Sequence, residues 1–223
     1  MVTAMAGSLQ NVAPGVYAWL DDAFGPGHPN AGMVVADDGL TVIDPLCTPR
    51  QATPFAAAVA DLIATPVRRV VLTGSHIEFV GGAGAFPMAA VYGSGQTSAH
   101  LDQPGDPTVW TALHPGHGED FAELVTRPVS HTVQEPAHLC PASIAIPRGG
   151  FQLENLAVQI PGADVEFLGA LGWFGCVPLA FEADFGLWID TLTAALDWGS
   201  VFVPGHGPIG DADDVRSLIA YLE

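Results

Sequence analysis

Lysine is absent from this chain of 223 residues, and six arginines face 24 acidic residues, which leaves a formal charge of −18. Nucleic acids and anionic membranes select basic surfaces, so neither is an expected partner. Cysteine is scarce. Cys47, Cys140 and Cys176 are odd in number and widely spaced, with no C-x-x-C pair for a zinc ribbon or a redox dithiol. Reduced thiols are the expected state, and Cys47, with no basic neighbour closer than Arg50, reads as packing rather than as a reactive group. No run approaches the roughly 20 apolar residues of a membrane span, and Met1 to Gln10 carries no basic residue. The expectation is a soluble, cytoplasmic protein whose partner is a small molecule.

What the chain has is enough apolar residue, 49%, to bury a core of ordinary size, and one domain over residues 1–223 is expected. Strand signals at Gly15 to Leu20, Ala31 to Val35 and Leu40 to Asp44, with Asp37-Asp38-Gly39 as a hairpin turn, predict a meander. From Thr48 the period becomes helical, with Phe55, Val59, Leu62 and Ile63 on one face and Thr48-Pro49 as cap and first turn. Val67 to Leu72 reads as a strand buried on both faces, and Thr73 to Gly84 as a glycine-rich loop at its carboxyl end, a usual place for a site. A strand at Ala89 to Tyr92 and a short helix near Thr97 to Leu101 follow. From Pro104 to Pro147 proline, glycine and histidine are dense and periodicity is weak, which predicts a long ordered loop or lid, about 104–150. Strands at Leu156 to Ile160, Val165 to Leu168 and Val201 to Val203, a helix from Trp188 to Leu196 and a last helix from Asp213 to Leu222 complete the prediction.

The stretch Thr73-Gly74-Ser75-His76-Ile77-Glu78-Phe79-Val80-Gly81-Gly82 resembles the metallo-β-lactamase signature T-H-x-H-x-D-H-x-G-G. Other landmarks fall in that superfamily's order: a hairpin from Asn30 to Asp44, Ala85-Phe86-Pro87 after the double glycine, and Val203-Pro204-Gly205-His206-Gly207-Pro208 as the late P-G-H-G turn. The resemblance spans nearly the whole chain and implies an αββα sandwich, two mixed sheets face to face with helices outside. It also implies metal ligands, which histidines and an aspartate of this loop normally supply to two divalent ions. Carried over by position, Gly74 replaces the first histidine, His76 remains, Glu78 replaces the aspartate and Phe79 the next histidine. Counting back from Ile160-Pro161 puts Phe151 at a further histidine position. Phe167-Leu168-Gly169-Ala170-Leu171 puts Ala170 at the bridging aspartate, in preference to Asp184, and His206 is retained.

On that alignment a standard dinuclear zinc centre is not expected. His76, Glu78 and His206 remain as a facial set that could hold one divalent ion, iron, zinc or manganese. Phe79, Phe151, Ala170, Asp184 and Asp44 are expected around the pocket, Asp44 supporting the loop from behind. Without metal, His76 beside Glu78 could move protons on a hydrophobic molecule. Three functional readings therefore stand open. The first is a divergent enzyme acting on a small, hydrophobic organic molecule, such as in a biosynthetic tailoring step. The second is a non-catalytic binding protein of the same fold. The third is an ordinary metal-dependent hydrolase, if Asp184 and the lid histidines His114 and His117 complete a site. Histidines in a Pro/Gly loop are more often exposed to solvent, and a surface position is expected for His28, His100, His131 and His138.

Overall fold

The computed structural model describes residues 7–23, 25–103, 105–122 and 124–223. Its first half is a sheet of seven strands, β1 (Gly7–Ala13), β2 (Val16–Asp21), β3 (Ala31–Ala36), β4 (Gly39–Ile43), β5 (Val67–Val71), β6 (Ala90–Gly93) and β7 (His131–Thr132), in that spatial order. The meander β1 to β4 is antiparallel and β4 to β7 is parallel, because the later connections cross over. Helix α1 (Pro49–Leu62) makes the first crossover. Thr48 caps it by accepting from the Gln51 amide at 3.3 Å, and Pro49 opens its first turn. Its buried face carries Gln51, Ala52, Phe55 and Val59, whereas Leu62, expected inside, lies exposed beside the last turn.

The remaining parallel crossovers pass through α2 (Ile77–Val80), α3 (Gly95–Leu101), α4 (Pro107–Leu113) and α5 (Gly118–Phe121). The second sheet has the order β12-β11-β10-β9-β8, built from β8 (Ala137–Cys140), β9 (Ser143–Arg148), β10 (Asn155–Ile160), β11 (Val165–Trp173) and β12 (Val201–His206). Helices α6 (Phe185–Ala195) and α7 (Ala212–Leu222) lie against it. Asp211 starts α7 with a reciprocal capping box to Asp214.

The two sheets meet through one apolar layer, with Val34, Ile43 and Val71 of the first against Val158, Phe167 and Val203 of the second. A second core holds Phe55 and Val59 of α1 with Met33, Val42 and Val70, and Trp188, Leu192, Val215 and Leu218 of the last helices with Leu168 and Phe202. Two mixed sheets with helices on their outer faces are the expected architecture, and they are found.

The segment from Pro104 to Pro147 departs from the expectation of an irregular lid. Pro104 itself lies outside the described residues. Asp106 caps α4 and Pro107 occupies its first turn, so a helix too short to show a period forms from its start signals alone. Further on, β8 and β9 add the edge of the second sheet, with Ser143, Ala145 and Ile146 buried. Strand β1 is a further element that the sequence does not announce, since none of its residues is fully buried. Among the described residues no helix is long and apolar enough to cross a membrane.

Candidate functional site

The site grows from the end of β5. Asp44, with a left-handed φ of 51°, accepts from the Thr73 amide at 2.8 Å and from its hydroxyl at 2.6 Å. That hydroxyl in turn accepts from the Ala170 amide at 2.9 Å, so one buried carboxylate fixes the loop and ties it to β11. Burial pushes the Asp44 carboxyl up to about 7 against the pull of the Thr73 bonds. The loop then turns tightly under the residues after Asp44. A Cβ on Gly81 or Gly82 would run into the carbonyl oxygens of Cys47 and Pro45, which is why both positions are glycine. Cys47 is fully buried there, as packing requires.

Beyond Thr73 the loop sends its polar side chains two ways. Glu78 points into a sealed interior, fully buried, where the Gly27 amide donates to it at 2.5 Å. His206 Nε2 lies 3.4 Å and His114 Nδ1 3.9 Å from the same oxygen. Burial would raise the Glu78 carboxyl, but the His206 and His114 imidazoles and the Gly27 amide hold it down at about 2. The Gly27 carbonyl is also used, accepting from Gln51 Nε2 at 2.8 Å and facing His117 Nε2 at 2.9 Å. His114 and His117 are each only 4% exposed, so their expected place in solvent is wrong. The short helical turns that replace the irregular lid carry them inward. His28 is half-buried as well, its Nδ1 3.2 Å from Asp21 Oδ2, a contact that raises its pKa.

His76 turns the other way. Its Nε2 is 3.8 Å from Glu182 Oε2, and it borders a cavity of about 350 Å³. Gln152 organises this corner by accepting from the Ser75 amide and donating to the Ser75 hydroxyl, both at 2.8 Å, and to Glu182 at 3.0 Å. His76 and Gln152 together hold the Glu182 carboxyl at about 2, an ionised group. The cavity walls are apolar, from Ile77, Val109, Trp110, Leu113, Leu179 and Phe181. His100, exposed as expected, faces the same space.

Between the two polar clusters stands an aromatic block. Phe151 packs edge-on to His76 and Trp188, at 4.9 and 5.4 Å between ring centres, and tilted against Trp173 at 5.7 Å. Phe79 meets Phe151 and His206 edge-on, and His206 stacks on Trp173 at 3.9 Å. Phe79, Phe151 and Ala170 are fully buried.

The family model of the metallo-beta-lactamase superfamily matches residues 24–212. The chain belongs to the metallo-beta-lactamase superfamily. No curated protein matches it at the sequence level. Among solved structures it is similar to the metallo-β-lactamase FIM-1 from Pseudomonas aeruginosa in its mono-zinc form, at 16% identity and TM-score 0.75, covering 97% of this chain and 94% of that one. A metallo-β-lactamase from Erythrobacter litoralis matches at 20% identity and TM-score 0.74, with coverage of 97% and 96%. One from Hirschia baltica matches at 16% and 0.75, with 97% of both chains covered. At these identities the likeness is one of fold.

The superfamily's zinc centre does not fit the donors this member has. A Cβ on Gly74 would lie 2.9 Å from Gln152 Oε1 and 3.1 Å from the Ala170 Cβ, so a side chain there has to push both aside. Phe79, Phe151 and Ala170, which the resemblance places at ligand positions, supply no donor atom. Of the three residues expected to hold a single ion, Glu78 and His206 come together while His76 faces Glu182. The donor that joins Glu78 and His206 is His114, whose Nδ1 lies 3.9 Å from Glu78 Oε1. Asp184 does not complete a site. It is exposed and caps α6, accepting from the Leu187 amide at 3.0 Å.

Sequence reasoning missed Ser75, Gln152 and Glu182. Gln152 follows Phe151 directly, and Glu182 sits two residues before Asp184, but neither occupies a ligand position of the superfamily pattern. Their only signal was polarity beside a motif, too little to single them out.

Proposed function

We propose that this superfamily member acts on a small, largely hydrophobic organic molecule by proton transfer, using His76 and Glu182 in place of a dinuclear zinc centre. The observation that carries this reading is the position of the His76 imidazole. It is the one residue of the retained set that borders an open apolar cavity, and an ionised carboxylate stands 3.8 Å from it. Glu78 and His206, both fully buried, have no such access.

In this reading the cavity desolvates the bound molecule, and the imidazole of His76 removes a proton from it. The Glu182 carboxylate stabilises the imidazolium that results, and Gln152 and Ser75 keep Glu182 in place. The imidazolium then returns the proton to another atom of the molecule or to water. Isomerisation, cyclisation and elimination all reduce to these two transfers and need no metal-bound hydroxide. A place among biosynthetic tailoring enzymes would suit such chemistry.

A neutral, apolar C–H acid tests the reading. 5-Nitrobenzisoxazole loses its ring proton to a base as its N–O bond opens, giving a coloured cyanophenolate. The expected result is saturable turnover without added metal that falls by roughly 100-fold in His76→Ala, the usual scale for a positioned base. A rate that does not saturate, or that is unchanged in His76→Ala, contradicts it.

A binding protein without chemistry is favoured by one observation, the sealing of the former metal region by Phe79, Phe151 and Trp173. Saturable binding of the same probe without His76-dependent turnover would decide for it.

A further inference from the structure

The cavity at His76 continues into a second compartment of about 350 Å³, the two sharing Ser75, Ile77, His100, Val109 and Trp110. Their charged residues are of one sign. Glu182 borders the first and Asp106 the second, and no arginine lines either; the chain has no lysine. The bases that line them are three imidazoles, His76, His100 and His114. An anionic ligand would therefore enter an apolar space, next to a carboxylate, with no fixed cation to replace its hydration.

We infer that the ligand is a hydrophobic amine: an aromatic or alkyl body carrying a cationic nitrogen, not a carboxylate or phosphate. The inference deepens the function proposed above and rests on its placing of the ligand beside His76. Glu182 is held in place by the Gln152 amide at 3.0 Å and offers its charge at the polar end of the first compartment. Trp110 borders both compartments, where its ring can take an apolar body and its face can attract a cation. His76 stands beside Glu182 as the base that would take a proton from the ammonium or from a carbon next to it. The same arrangement repels carboxylates, so the specificity has a repulsive as well as an attractive part.

Three probes that share one ring system separate these contributions: 1-naphthylmethylamine, 1-naphthylmethanol and 1-naphthoic acid, with binding followed by fluorescence on the whole chain. High salt suppresses the general attraction of a chain charged −18 for any cation. The amine is expected to bind roughly 5-fold tighter than the alcohol, the combined scale of a partly exposed ion pair and a cation–π contact. The acid is expected to bind at least about 10-fold more weakly than the amine. Glu182→Gln, in an exposed position, should bring amine and alcohol level while leaving the circular dichroism spectrum unchanged. Binding of all three with equal strength, or tightest binding of the acid, would overturn the inference and leave the proposed function standing. So would an amine preference that survives in Glu182→Gln. Failure of all three to bind would overturn both.

Discussion

Phe79 and Phe151 turn positions where the superfamily carries imidazoles into part of the hydrophobic core, and their neighbours explain why reversion is not simple. Both rings are fully buried against each other, and Trp173 and Trp188 pack on Phe151. At the residue scale Phe79 stood out as an apolar ring inside a recognisable motif, whereas Phe151 was reached only by counting back from Ile160-Pro161. The direction each retained side chain takes was not legible. His76 and Glu78 are two apart in sequence, yet one borders the cavity and the other faces His206. One further carboxylate shows what burial does when no hydrogen bond compensates. Glu166 on β11 is fully buried with neither oxygen hydrogen-bonded, and burial raises its pKa to about 7 in spite of Arg148. A carboxyl whose pKa is raised in the folded state is neutral in both states below its unfolded value of 4.5, and there it costs nothing. Between 4.5 and about 7 the unfolded chain ionises first, so stability falls as pH rises, and above about 7 the loss is complete. Glu166→Gln is therefore expected to be close to neutral at pH 4 and to stabilise the protein at pH 8, by an amount on the order of 2 kcal/mol. Urea denaturation at the two pH values measures it. An equal effect at both would mean that Glu166 ionises normally in the fold.

At the scale of elements, the loop from Thr73 through α2 to Gly82 keeps the superfamily's framing while its contents have changed. The framing was readable because its demands are strict: Asp44 and Thr73 hydrogen-bond to each other, and backbone approaches Gly81 and Gly82 too closely for a side chain. Helix α4 and its following turn were not readable, since seven residues give no clear period and Pro115-Gly116 looks like open loop. Yet that turn buries His114 and His117 and, with Val109, Trp110 and Leu113, places a wall of the cavity. The packing around Gly74 gives a test at this scale. Gly74→His, which restores the motif by name, has to push Gln152 and Ala170 aside. It should destabilise the fold by about 1–3 kcal/mol, the usual cost of overpacking, and should not create a zinc site. Thermal unfolding with and without zinc measures both, and a stable variant that gains zinc-dependent stability would show that the donors of the old centre still converge.

The whole molecule combines a conventional frame with a cavity at His76 that we propose as its working surface. The two-sheet sandwich with outer helices followed from strand and helix patterns plus the order of the landmarks, whereas the edge strands β1, β7, β8 and β9 did not. The site was legible only where it coincides with old ligand positions. Its open part is assembled from Ser75, Gln152, Glu182 and residues of α4, which lie far apart in the chain and meet only in the fold. The central claim is that chemistry has moved from the buried Glu78–His206 region to the cavity at His76. The most direct test is to follow the histidine side-chain resonances of the protein, labelled with nitrogen-15, while 1-naphthylmethanol is added. The account predicts that the signals of His76 and His100 shift in a saturable way, while those of His206 and His117 stay in place. Shifts at His206 with none at His76 would contradict it.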